Sequence, residues 1–127
     1  MGVKFLSDEW AKAVTETANS SEAFKQAAAG KSVKAQNVVT TADGEVKYWF
    51  ALQDGQAQVE LGETTDPEAT LTADYDTAVA LTKGELNATS AYMSGKLKIQ
   101  GDMMKLMGLQ GVFNALPQVF KELDIEY

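Results

Sequence analysis

The chain has no cysteine and no histidine, and its eleven cations are all lysines, so arginine is missing too. Without cysteine there is no disulfide, no thiolate nucleophile and no thiolate-bound metal. Without histidine the commonest general base and the commonest metal ligand are both gone. Without arginine there is no planar fork to clamp a phosphate. The net charge of −7 excludes the basic footprint that nucleic acid requires, and an anionic membrane repels such a surface on average. Long apolar runs are also absent: none approaches the roughly 18 residues that span a bilayer. The opening segment MGVKFLSDEW lacks the apolar stretch of a secretory signal. Gly2 invites myristoylation, but Leu6 stands where that motif wants Ser or Thr. The expected location is the cytoplasm, without stable membrane anchoring.

What is present is ordinary for a globular protein: 45% apolar and 23% charged residues. The 127 residues predict one domain, 1–127, long enough to bury a core. Ser7 reads as an N-cap followed by Asp8 and Glu9, and Trp10, Val14 and Ala18 recur on one helical face. A second helix is predicted over 22–29, stopped by Gly30. The period then changes. Val46, Tyr48, Phe50 and Leu52 alternate with Lys47, Trp49, Ala51 and Gln53, the pattern of a half-buried strand. Asp43-Gly44 and Asp54-Gly55 flank it, and Asp-Gly between apolar runs marks hairpins because type I′ turns need positive φ. Residues 33–42, 45–53 and 56–62 therefore read as an antiparallel meander. Trp49 should face away from Phe50, as a dimer contact or half-covered by neighbours.

Ala69, Leu71 and Ala73 predict a fourth strand. A helix follows from Tyr75 to Gly84, then a second one capped by Asn87 and stopped by Gly95. Leu97 and Ile99 make a fifth strand, and Asp102 caps a last helical stretch. Its stripe of Val112, Phe113, Leu116, Val119, Phe120 and Leu123 is strongly amphipathic. Pro117 predicts a kink or two helical pieces there. The order α-α-β-β-β-β-α-α-β-α argues for an α+β fold with helices packed on one face of a sheet. If the fourth and fifth strands are neighbours, their connection is a right-handed crossover between parallel strands.

Chemistry is sparse. Asp74 and Asp76 are paired carboxylates, the residue type glycoside hydrolysis uses, but at a strand-to-helix junction they read as caps. No serine has a histidine partner, and no acidic spacing matches a calcium loop. Neither enzymatic activity nor a metal or cofactor is expected. Four of the five methionines, Met93, Met103, Met104 and Met107, crowd into fifteen residues, interleaved with Lys96, Lys98 and Lys105. Flexible, polarizable Met lines surfaces that fit ligands of varying shape, and the lysines would suit an anionic head group. The same residues also suit an ordinary core.

The run from Thr70-Leu71 through Asp74, then LTKGELN and AYMSGKLKIQGD, resembles the sterol carrier protein type 2 lipid-transfer domain; GKLKIQG, Gly95 to Gly101, is its most specific element. The resemblance implies a five-stranded, mixed, mainly antiparallel sheet enclosing a hydrophobic tunnel with its helices. It implies binding of fatty acids, acyl-CoA esters or other lipids, with no catalytic residues. The expected wall includes Phe50, Leu52, Leu71, Val79 and Leu86. Tyr92, Met93, Ile99, Met103, Met104 and Met107 continue it, and Phe113 and Phe120 complete it from the last helix. Lys96, Lys98 and Lys105 are the head-group candidates. Expected partners are a long-chain lipid and, in addition, a second copy or a partner enzyme. The alternative is a filled core serving a structural, dimerisation or enzyme-accessory role.

Overall fold

The computed structural model describes residues 2–127, except the side chains of residues 88, 89, 110 and 113. The alternating segment forms β2 (Val33–Thr41), β3 (Gly44–Gln53) and β4 (Gln56–Leu61), an antiparallel meander. Its second turn has the expected chemistry: Asp54 and Gly55 take φ of +52° and +81°. At the first turn only Gly44 is positive, at +124°. β5 (Ala69–Asp74) and β6 (Leu97–Gly101) complete a five-stranded sheet of order β4-β3-β2-β5-β6.

The parallel pair is β2 with β5; β5 and β6 are neighbours but antiparallel, contrary to the crossover expected between them. The connection holds two helical legs, α3 (Tyr75–Lys83) and α4 (Ala88–Met93). Two legs carry the chain back to the end it left, so Ala73 pairs with Leu97. Asp74 caps α3 by accepting from the Thr77 N–H at 2.8 Å. Hydrogen bonding from Thr77, side chain first and backbone N–H second, holds the Asp74 carboxyl below its ordinary value. Its contribution to stability is present at neutral pH and is lost as pH falls through the carboxylate range.

To reach β5 from β4 the chain crosses β3 and β2 on the outer side of the sheet. Gln36, buried at the middle of β2, secures the crossing. Its Nε2 donates to Gly62 O at 3.0 Å and to Tyr48 O at 3.1 Å, and its Oε1 accepts from Thr64 N at 2.7 Å. Trp49, paired with Gln36 in register, is half-buried on this face. Gln36→Leu strips partners from Gly62 and Thr64, and we expect a loss of about 2 kcal/mol. Urea unfolding should show it as a lowered midpoint with an unchanged slope.

The inner face is apolar because the alternation puts Val33, Ala35, Val39, Phe50, Leu52 and Val59 there. α1 (Asp8–Ser20) lays Trp10, Val14 and Ala18 on it, α2 (Glu22–Ala28) adds Phe24 and Ala28, and α3 adds Ala78. Ser7 caps α1 at Trp10 N, 3.1 Å away. The last helical stretch is α5 (Met103–Met107) and α6 (Gln110–Lys121). The break expected at Pro117 falls instead at Gly108 and Leu109, and α6 runs through Pro117 as one element. Two elements have no counterpart in the sequence reading: β1 (Val3–Lys4) and β7 (Ile125–Glu126) pair in parallel, fastening the two ends of the chain together. Phe5, next to β1, stacks edge-on against Trp10.

Candidate apolar ligand cavity

Between the inner sheet face and two helices lies a cavity of about 80 Å³. Ladder register builds its floor. One rung is Ala35, Phe50 and Val59; the next is Asn37 between Tyr48 and Leu71. The roof is two helical pairs at i, i+4: Trp10 and Val14 from α1, Leu116 and Phe120 from α6. Both helices put these residues inward for the same reason, an apolar stripe at a 3.6-residue period. The structure does not show the tunnel implied by the resemblance; this small cavity is what lies between sheet and helices. A second depression, around Gln53, Asp54 and Gln56, is larger but polar and open, and nothing in it converges on a ligand.

The wall is apolar with three polar groups in it. Trp10 is 1% exposed and its Nε1 meets no acceptor. It packs edge-on to Tyr48 with ring centroids 5.2 Å apart. Burial pushes the Tyr48 hydroxyl up to about 12, so it stays protonated at neutral pH. Asn37 is half-buried, and its amide has no hydrogen bond among the described residues. No lysine or carboxylate lines the cavity.

Of the expected wall residues, Phe50, Leu71 and Phe120 line this cavity. Leu52 is buried one rung away, between Val33 and Ala57. Val79 and Ile99 pack partly buried against the main core, and Leu86 belongs to a small satellite of Ala73, Ala91 and Leu97. Phe113 lies outside the described side chains. The methionine cluster is not brought to the cavity. Met93, Met104 and Met107 are 80%, 83% and 70% exposed, Tyr92 is exposed as well, and Met103 is partly buried. The physical reason is element length and position. α4 and α5 are single short turns beside the edge strand β6, and α5 buries only Leu106. The lysines do not converge either: Lys96 and Lys98 are exposed, and Lys105 Nζ is held by Glu68 Oε2 at 2.6 Å.

Sequence reasoning missed Trp10, Val14, Ala35, Asn37, Tyr48, Val59 and Leu116 as lining residues. Most carried a signal for burial only. Asn37 carried one more: it is the single polar residue in the inward series Val33, Ala35, Asn37, Val39, hidden by the consecutive valines that follow it.

A family model described as the SCP-2 sterol transfer family matches residues 12–114. Among curated proteins, the mouse (Mus musculus) stomatin-like protein 1 is 35% identical over 81 residues, 63% of this chain and 20% of that protein. The Xenopus tropicalis hydroxysteroid dehydrogenase-like protein 2 is 38% identical over 72 residues, 53% of this chain and 17% of that protein. The chain thus spans a fifth or less of these relatives. A crystal structure of sterol carrier protein 2 superposes with a TM-score of 0.80 at 24% identity, covering 94% of this chain and 98% of that one. It is a likeness of fold.

Proposed function

The chain belongs to the SCP-2 sterol transfer family, and from that premise we propose that it is a cytoplasmic, non-catalytic lipid carrier. It holds a fatty acid, acyl-CoA ester or similar long-chain lipid in the cavity between α1, α6 and the sheet, with Phe50, Leu71 and Phe120 among the contacts. Transfer is binding and release. The observation that carries this reading is an apolar cavity walled by the sheet's inner face and two amphipathic helices. No helix of the described residues is long and apolar enough to cross a membrane. Burying about ten methylenes at about 0.8 kcal/mol each gives roughly 8 kcal/mol before ordering costs, on the order of micromolar binding.

The size of the cavity favours a second reading. Sites for small molecules usually offer roughly 300–1,000 Å³, against about 80 Å³ here. A core that stays this full would leave a structural, dimerising or enzyme-docking domain. Native mass spectrometry of freshly purified protein separates the two. A co-purifying mass in the lipid range, lost on organic extraction, is expected of the carrier. A clean apo mass that also ignores added fatty acid, acyl-CoA and long-chain alcohol or ester is the result expected of the filled core.

A further inference from the structure

The cavity is not uniformly greasy, and one of its polar groups is a buried donor without a partner. A buried donor left unpaired is costly, and native interiors rarely tolerate one. Trp10 Nε1 is such a donor, in a residue that is 1% exposed and lines the cavity. Across the same space, Asn37 interrupts an apolar rung between Tyr48 and Leu71 with an amide that has no partner among the described residues. The amide offers a donor and an acceptor, the indole a donor only. No charged side chain lines the cavity, so an ionised head group buried there would have no counter-charge.

We propose that the polar end of the lipid enters this cavity first, and that this end is an uncharged oxygen, alcohol or ester, received by the Trp10 indole N–H and the Asn37 amide. The inference rests on the lipid-carrier reading and, within its similar long-chain lipids, selects uncharged ones over the ionised fatty acid and acyl-CoA ester. An alcohol oxygen accepts from Trp10 and donates to Asn37 Oδ1; an ester carbonyl accepts from Trp10 and from Asn37 Nδ2. Tyr48, protonated at neutral pH, lines the same wall as a further donor. The hydrocarbon then trails along Phe50, Leu116 and Phe120. Lys96, Lys98 and Lys105 play no part in head-group recognition.

The test follows the indole proton itself. In ¹⁵N-labelled protein, Trp49→Phe leaves Trp10 as the one indole N–H signal, because Trp10 and Trp49 are the two tryptophans of the chain. The protein is titrated with dodecanol, methyl laurate, laurate at about pH 8, where it is ionised, and dodecane. Expected is a preference of about tenfold for the alcohol and ester over the alkane, the scale of one or two net hydrogen bonds. The Trp10 indole proton should move downfield with those two ligands alone. Trp10→Phe and Asn37→Leu should each lose most of the preference and keep alkane binding. Should Trp10→Phe fail to fold, Asn37→Leu and the wild-type indole shift decide. Equal binding of all four with an unmoved indole overturns the inference and leaves the carrier reading standing. Tighter binding of ionised laurate than of dodecanol does the same. Binding of none of the four overturns both.

Discussion

Gly101→Ala is expected to destabilise the protein by roughly 3 kcal/mol or more, and Gly95→Ala by only about 1 kcal/mol, although both glycines bound the same GKLKIQG run. Both have positive φ, +117° and +82°, so both substitutions carry backbone strain. They differ in what surrounds them. A Cβ on Gly95 would meet nothing within 4 Å. A Cβ on Gly101 would run into the Glu68 carbonyl oxygen and stand 2.7 Å from Ala69 Cα. These neighbours are backbone and cannot swing aside. Gly101 is the register partner of Ala69, and Asp102 N donates to Glu68 O at 2.9 Å, so the two backbones are in direct contact here. Room for a methyl group opens only if β6 lifts off, which also displaces Asp102, the cap of α5 through Lys105 N. Urea midpoints of the two variants, at unchanged slope, measure the difference. Equal losses at the two positions would mean that positive φ alone, and not close strand approach, requires the second glycine.

The same physics explains what the chain reveals about its fold without a structure. The meander is legible because alternation and Asp-Gly turns are local signals, each complete within about ten residues. The caps at Ser7, Asp74 and Asp102 are legible for the same reason. Direction is different. Whether β6 runs parallel or antiparallel to β5 depends on where two short helices return the chain, and nothing between Asp74 and Leu97 encodes that locally. The β1–β7 pair is two residues on each side, too short for any period, and is made by segments at opposite ends of the chain. Pro117 misleads in the other direction: it weakens a helix by one hydrogen bond, but the turn that parts α5 from α6 sits at Gly108 and Leu109.

The cavity is less legible than the fold because it is made of register. Asn37 meets Tyr48 and Leu71 only once β2 has found both β3 and β5. Trp10 and Phe120 face each other across more than a hundred residues of chain. The methionines are conspicuous because they are close in sequence, but sequence density says nothing about which side of a short helix is covered. Met104 and Leu106 stand two residues apart on α5; the first is 83% exposed and the second is buried. Phe50, Leu71 and Phe120 are legible because each belongs to a periodic apolar face that continues into the core.

A disulfide joining α3 to α6 should shut lipid out. To admit a long chain, the cavity of about 80 Å³ must widen several-fold. Its floor is the hydrogen-bonded sheet, and Trp10 and Val14 sit on a helix clamped to that sheet by Thr15 and Asn19. Thr15 Oγ1 accepts from Val59 N at 2.9 Å, and Asn19 Oδ1 accepts from Ala57 N at 2.8 Å. Among the described residues no such hydrogen bond ties α6, which carries Leu116 and Phe120, to the sheet; α6 is held by apolar packing and is the wall expected to move. An ideal Cβ on Gly84 stands 3.3 Å from Pro117 Cβ, close to the roughly 3.5–4.5 Å that a disulfide spans. Gly84→Cys with Pro117→Cys therefore ties the end of α3 to the middle of α6, between the two roof residues. The chain has no cysteine of its own, so the new pair has no rival partner. The φ of +78° at Gly84 makes Cys there cost about 1 kcal/mol, a cost shared by the oxidised and reduced forms. We expect the oxidised protein to take up a fluorescent long-chain ester at least about tenfold more weakly than the same protein after reduction, with the loss recovered on adding reductant. Equal uptake in the two forms would show that lipid enters without moving α6, and the opening would then have to be sought in α1 or at the β6 edge.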